Sequence, residues 1–151
     1  MKALWLALAL LLVSGGVAFA QDACDYFYQA LAAAPHEKLT HRIGELQGQH
    51  DGKWHQGCEM VLTTDERLLA GGALPDFQAG PGSESYRAGW RDNLAYSADG
   101  PGTSLYAIER GGDLCIISSS QPAAIEGASV DGQGTVVQSA TLTLTVQCLH
   151  R

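Results

Sequence analysis

The sequence predicts an α+β fold: an N-terminal helix packed on an antiparallel sheet of about five strands, held by two disulfides. Three observations carry this expectation. Four cysteines, Cys24, Cys58, Cys115 and Cys148, follow an export-type leader. The segment from Val136 to Cys148 alternates apolar and polar residues with one interruption on the apolar side, which is the period-two pattern of a strand with one buried face. Residues 94–119 divide into three strand-like segments separated by Asp99-Gly100-Pro101-Gly102 and Gly111-Gly112, the turn chemistry of a meander.

The leader comes first. Lys2 precedes an apolar run from Ala3 to Val13, then Ser14-Gly15-Gly16 and Ala18-Phe19-Ala20. This is the charged, apolar and small-residue order of a secretory signal cleaved after Ala20. The run is shorter than the roughly 20 residues of a permanent membrane helix. Gln21-Asp22-Ala23 is too polar to direct lipid attachment at Cys24. The expected mature chain is 21–151, a single small domain with no membrane span, periplasmic or secreted.

Asp22 is placed to cap a helix over 23–33, which Pro35 ends because the residue before proline resists the α region. Cys24, Phe27, Tyr28 and Leu31 share its apolar stripe. Leu39, Ile43 and Leu46 recur at helical spacing, yet Thr40 and Gly44 weaken a helix, and 36–47 also fits a strand paired with 56–63. Residues 47–52 form a polar turn, and a strand follows through Cys58 to Thr63. Four glycines and two prolines make 69–82 a loop, after a single turn at 65–69. Ser83 can cap a short helix over 84–93, with Gly89 against it. The meander then runs through strands at 94–98, 103–110 and 113–119. A loop over 121–134 leads to the last and longest strand, 135–149.

In an oxidising compartment an even number of cysteines reads as a disulfide framework. All four sulfurs fall on apolar faces of their elements, and the neighbours favour Cys24–Cys58 and Cys115–Cys148. Each bond would close a loop of about thirty residues, contributing roughly 3–4 kcal/mol in the chain-entropy description. The chain has no C-x-x-C, and cysteine spacings of 34, 57 and 33 match no common zinc pattern. Without Lys2 the chain carries eight basic and sixteen acidic residues, a net charge of −8 with neutral histidines. No basic face is available for nucleic acid, and an acidic surface steers basic protein partners toward it.

Three groups of residues carry candidate chemistry. His36, His41, His50 and His55 cluster along the chain with Asp51 among them, and imidazole with carboxylate suits zinc, copper or nickel. A gap of five within each pair separates the side chains on helix or strand, so a site needs a loop that folds them together. Otherwise they are solvated turn residues. Tyr86, Arg87, Trp90 and Arg91 could set two guanidinium groups beside an exposed aromatic for an anionic partner; alternatively Trp90 is core and the arginines offset nearby acids. Trp54, at the edge of a polar turn, either anchors an interface or packs inward.

No residue stands out as catalytic. The chain has no G-x-S-x-G elbow, no phosphate loop and no dinucleotide fingerprint, and no cofactor is implied. The expectation is an exported, non-catalytic binding or inhibitor-like module, with loops 70–83 and 120–134 as contact regions. Its first alternative is a periplasmic metal-binding protein using the histidines of 36–55. The second is a small hydrolase, which needs a histidine and a carboxylate converging beside a hydroxyl.

Overall fold

The structure, a computed structural model, describes residues 15–65, 77–120 and 141–151, with side chains from Gln21 onward. Helix α1 spans Gly15–Ala33. It begins before Asp22, which therefore lies inside the helix and caps nothing. Nothing from Val17 to Ala23 breaks a helix, so no start is imposed at Asp22. Ala23, Cys24, Phe27, Leu31 and Ala34 are buried, the spacing of one helical stripe.

The open question over 36–47 resolves as strand β1, Lys38–Gln47, antiparallel to β2, Trp54–Asp65. Helix α2 covers only Glu84–Arg87, and the Ser83 hydroxyl caps it by accepting from the Tyr86 N–H. It stops short of the expected 84–93 because Gly89 takes φ +91°, a left-handed conformation that ends helices. Strand β3 is Arg91–Asp92. The expected strand at 94–98 is instead a 3-10 turn at Leu94–Tyr96 followed by β4, Ala98–Gly100. Asn93 causes this: its side chain accepts from the Ala95 N–H and holds the turn closed. Pro101-Gly102 make a tighter turn than the expected 99–102, since Gly100 already pairs with Thr103. Strands β5, Thr103–Arg110, and β6, Asp113–Ser120, flank Gly111-Gly112. Strand β7 is described over Thr141–His150. The 121–134 loop, the 135–140 start of the last strand, and most of the 65–82 turn and loop lie outside the described residues.

The described strands form one seven-stranded antiparallel sheet, ordered β1-β2-β7-β6-β5-β3, with β4 also on β5. This exceeds the expected five strands because 36–47 is extended and two short strands share the β5 edge. Register builds the helix-facing side in rows. Cys58 faces Cys148, which faces Cys115, which faces Ile108; the next row is Met60, Val146, Ile117 and Tyr106. These rows and the α1 stripe form one buried cluster. Phe27 fixes its centre, with Phe77 at 4.9 Å and Trp90 at 5.4 Å between ring centroids. The disulfides join Cys24 to Cys58 and Cys115 to Cys148. One ties α1 to the sheet, and the other joins neighbouring strands inside the same row.

The opposite side holds a smaller cluster of Ala107, Leu114 and Ile116, with Leu105 and Tyr96 against it. Gly44 and Gly57 face each other in the β1–β2 register. Gly44 takes φ +144°, and a Cβ at Gly57 would overlap the Cys148 carbonyl oxygen. Beyond this pair the hairpin closes against Gln147 of β7. Alternation turns Gln147 away from α1, and it is 2% exposed.

Candidate functional site

The β1–β2 hairpin gathers the chemistry. Its turn is closed by the Gly48 N–H donating to the Lys53 carbonyl and the Gly52 N–H to the Gly48 carbonyl, each at 2.8 Å. Gly52 takes φ +70°, which glycine adopts without steric cost. Asp51 accepts from the Lys53 N–H at 3.0 Å, a local aspartate turn. Gln147 then anchors the tip to the sheet. It accepts from the Gln49 N–H and donates to the Gln47 carbonyl, both at 3.1 Å.

This geometry folds two imidazoles onto one carboxylate. His55 Nε2 lies 3.2 and 3.0 Å from the two Asp51 oxygens. His50 Nε2 lies 3.5 Å from Asp51 Oδ2. The two rings are 5.5 Å apart, and the Tyr96 ring meets His50 edge-on at 5.4 Å. The gap of five between the histidines is thus overcome by the turn, which carries His50 while His55 stays on β2. Gln147, Gly48 and Tyr96 complete the setting. The sequence pattern carries no sign of Tyr96, and it places Gln147 only on the polar side of its strand.

Burial holds the His50 imidazole below its ordinary range; Asp51 pulls the other way, while His55 and Arg151 add to the lowering. The Lys53 N–H holds the Asp51 carboxyl below its usual range against partial desolvation, and His55 and His50 add to this. Both shifts favour a neutral His50 and an ionised Asp51 at neutral pH, the states in which these groups coordinate metals.

The other two histidines lie elsewhere. His36 donates from Nδ1 to the Ala34 carbonyl at 2.7 Å in the α1–β1 connection. His41 stacks on Tyr28 at 4.7 Å, in the middle of β1. Neither reaches the tip. A further pair forms where β6 meets β7, with His150 Nδ1 2.9 Å from Asp113 Oδ1. Among the described residues no histidine hydrogen-bonds to a hydroxyl.

The arginine group also separates. Trp90 is fully buried, with the Arg110 guanidinium 4.5 Å from its ring centroid. The chain leaves α2 before Trp90, which turns inward and does not stack with Tyr86. Arg91 covers Tyr86 at 3.9 Å and donates to the Tyr86 and Trp90 carbonyls. Arg87 donates to the Gly82 carbonyl. These arginines clasp their own backbone. Trp54 faces solvent at 65% exposure, and Ile43 on the same hairpin is 62% exposed.

Comparison with family models, curated proteins and solved structures finds no match. Among the described residues, no helix is long and apolar enough to cross a membrane. Two disulfides favour an oxidising compartment.

Proposed function

We propose that this chain is an exported, non-catalytic binding module that takes an extended segment of a basic protein along the outer edge of β1. The observation that carries the reading is that edge. β1 ends the sheet, so one side of a ten-residue strand has no strand partner among the described residues. Ile43 and Trp54 stand exposed beside it. The other end of the sheet presents only the short β3 and β4. An open edge binds by adding a strand: main-chain hydrogen bonds give affinity, and alternate side chains give selectivity.

Export is supported by the leader pattern over 1–20 and by both disulfides. Cleavage after Ala20 leaves in place Ala23, Cys24, Phe27 and Leu31, the buried α1 residues among those whose side chains are described. The basic character of the partner rests on the acidic excess, sixteen acidic against nine basic residues in the whole chain, which raises encounter rates with cations at low salt. Residues 70–76 and 121–134 of the two expected contact loops lie outside the described residues, and the reading rests on the β1 edge alone.

A photocrosslinking residue in place of Glu45 on β1, with a control in place of Asp99 on β4, tests this in native envelope extract. The expected product is one basic protein, trapped from position 45 alone, lost at high salt and lost again with Ile43→Lys. Equal trapping from position 99, or trapping indifferent to both salt and Ile43→Lys, refutes it.

A further inference from the structure

We propose that the tip of the β1–β2 hairpin is a binding site for a divalent transition-metal ion, with His50, Asp51 and His55 as its ligands. It is separate from the strand edge and does not depend on a protein partner.

Distance supports this site. One donor atom from each residue lies within 4.8 Å of the other two. A tetrahedral ion with bonds of about 2.0–2.1 Å sets its ligand atoms ~3.3 Å apart. Asp51 Oδ2 is 3.5 Å from His50 Nε2 and 3.0 Å from His55 Nε2, on either side of that value. An ion could enter with small ring movements, replacing the proton now shared between His55 and Asp51.

A second support is the His50 imidazole. The His50 side chain is only 6% exposed, and its Nδ1 is buried without a hydrogen-bond partner. Buried polar atoms are ordinarily satisfied. His50 makes no hydrogen bond to any described residue, whereas Asp51 already takes His55 and the Lys53 N–H. Nδ1 lies beside Gly48, while the other nitrogen, Nε2, faces Asp51 Oδ2 at 3.5 Å without a hydrogen bond, so it is the nitrogen placed to take an ion.

The third is the support beneath the ligands. A Cβ at Gly48 would stand 2.7 Å from Asp51 Oδ1 and 3.0 Å from His50 Nδ1, so the close approach of both groups needs glycine there. Gln147 fixes the turn from below through two backbone hydrogen bonds. Such supporting contacts orient first ligands.

Two imidazoles and a carboxylate, without thiolate, select Zn²⁺, Cu²⁺ or Ni²⁺ over Ca²⁺ or Mg²⁺. Three protein ligands leave a coordination position for water or an exogenous donor.

Calorimetric titration of the oxidised chain with Zn²⁺ and, separately, Cu²⁺ tests the site. One ion is expected to bind per chain, in the micromolar range or tighter. Asp51→Asn and His55→Ala should each weaken binding roughly 10-fold or more, while His36→Ala and His41→Ala leave it unchanged. Ring-proton NMR of the unmutated chain provides a readout independent of variant folding. Stoichiometric Zn²⁺ should move the His50 and His55 signals and leave His150 in place. Unmoved His50 and His55 signals, or undiminished binding in a folded His50→Ala/His55→Ala double variant, would overturn the proposal.

Discussion

Along the row Cys58, Cys148, Cys115, every side chain faces α1 and none is more than 2% exposed. The hairpin that continues from Cys58 is built differently. It leaves Ile43 and Trp54 about two-thirds exposed and gathers three ionisable side chains at its tip. The change comes at the Gly44–Gly57 pair, where at Gly57 backbone replaces side chain at the contact with β7. The centre of the sheet, with Cys58, Met60 and Leu62 of β2 in it, is packed for stability, whereas β1 buries only Leu46 among its apolar side chains and leaves its outer edge and the tip free to carry function.

The two histidine–carboxylate groupings make the same point at smaller scale. Asp113 and His150 are directly opposed on paired strands, with one imidazole for one nearly buried carboxylate. That is a lock between strands. At the tip, two imidazoles meet one carboxylate and the His50 Nδ1 is left buried without a hydrogen-bond partner. Matched stoichiometry closes a structure; the surplus at the tip leaves capacity for a ligand.

These differences predict unequal responses to substitution. Phe27→Ala, at the centre of the aromatic cluster, should cost about 3–5 kcal/mol in urea unfolding; a loss below about 1 kcal/mol would mean the helix face is not the stable core. Replacing Cys115 and Cys148 together with alanine should remove about 3–4 kcal/mol. A variant as stable as the parent would show that the row holds without its covalent tie. Gly57→Ala should cost about 1–3 kcal/mol by forcing β2 from β7, and amide exchange should quicken first beside Cys148. Uniform quickening across the sheet would show that the glycine pair marks no boundary.

Much of the stable centre is legible in the sequence because both faces of its strands differ. The apolar positions from Leu142 to Cys148 and from Cys58 to Leu62 alternate cleanly, and Gly111-Gly112 punctuates a hairpin. The hairpin resists such reading for a physical reason. β1 is an edge strand exposed on much of both faces, so alternation is blurred, and Leu39, Ile43 and Leu46 match helical spacing by coincidence. Asp22 looks like a helix start only when Gly15–Ala20 are set aside. The meeting of His50 with His55 depends on Gly52 and on Gln147, nearly 100 residues away along the chain; no local pattern encodes that contact. Trp90 offered both readings, and its burial follows from how α2 ends.

The most direct test of the division between core and hairpin combines folding and binding in one variant, Ile43→Lys with Trp54→Ala. Both residues are mostly solvent-exposed, so the melting temperature should stay within about 4 °C of the parent while crosslinking from position 45 to the basic partner disappears. A collapse in melting temperature, or crosslinking that survives intact, would contradict the assignment of stability to the sheet centre and binding to its free edge.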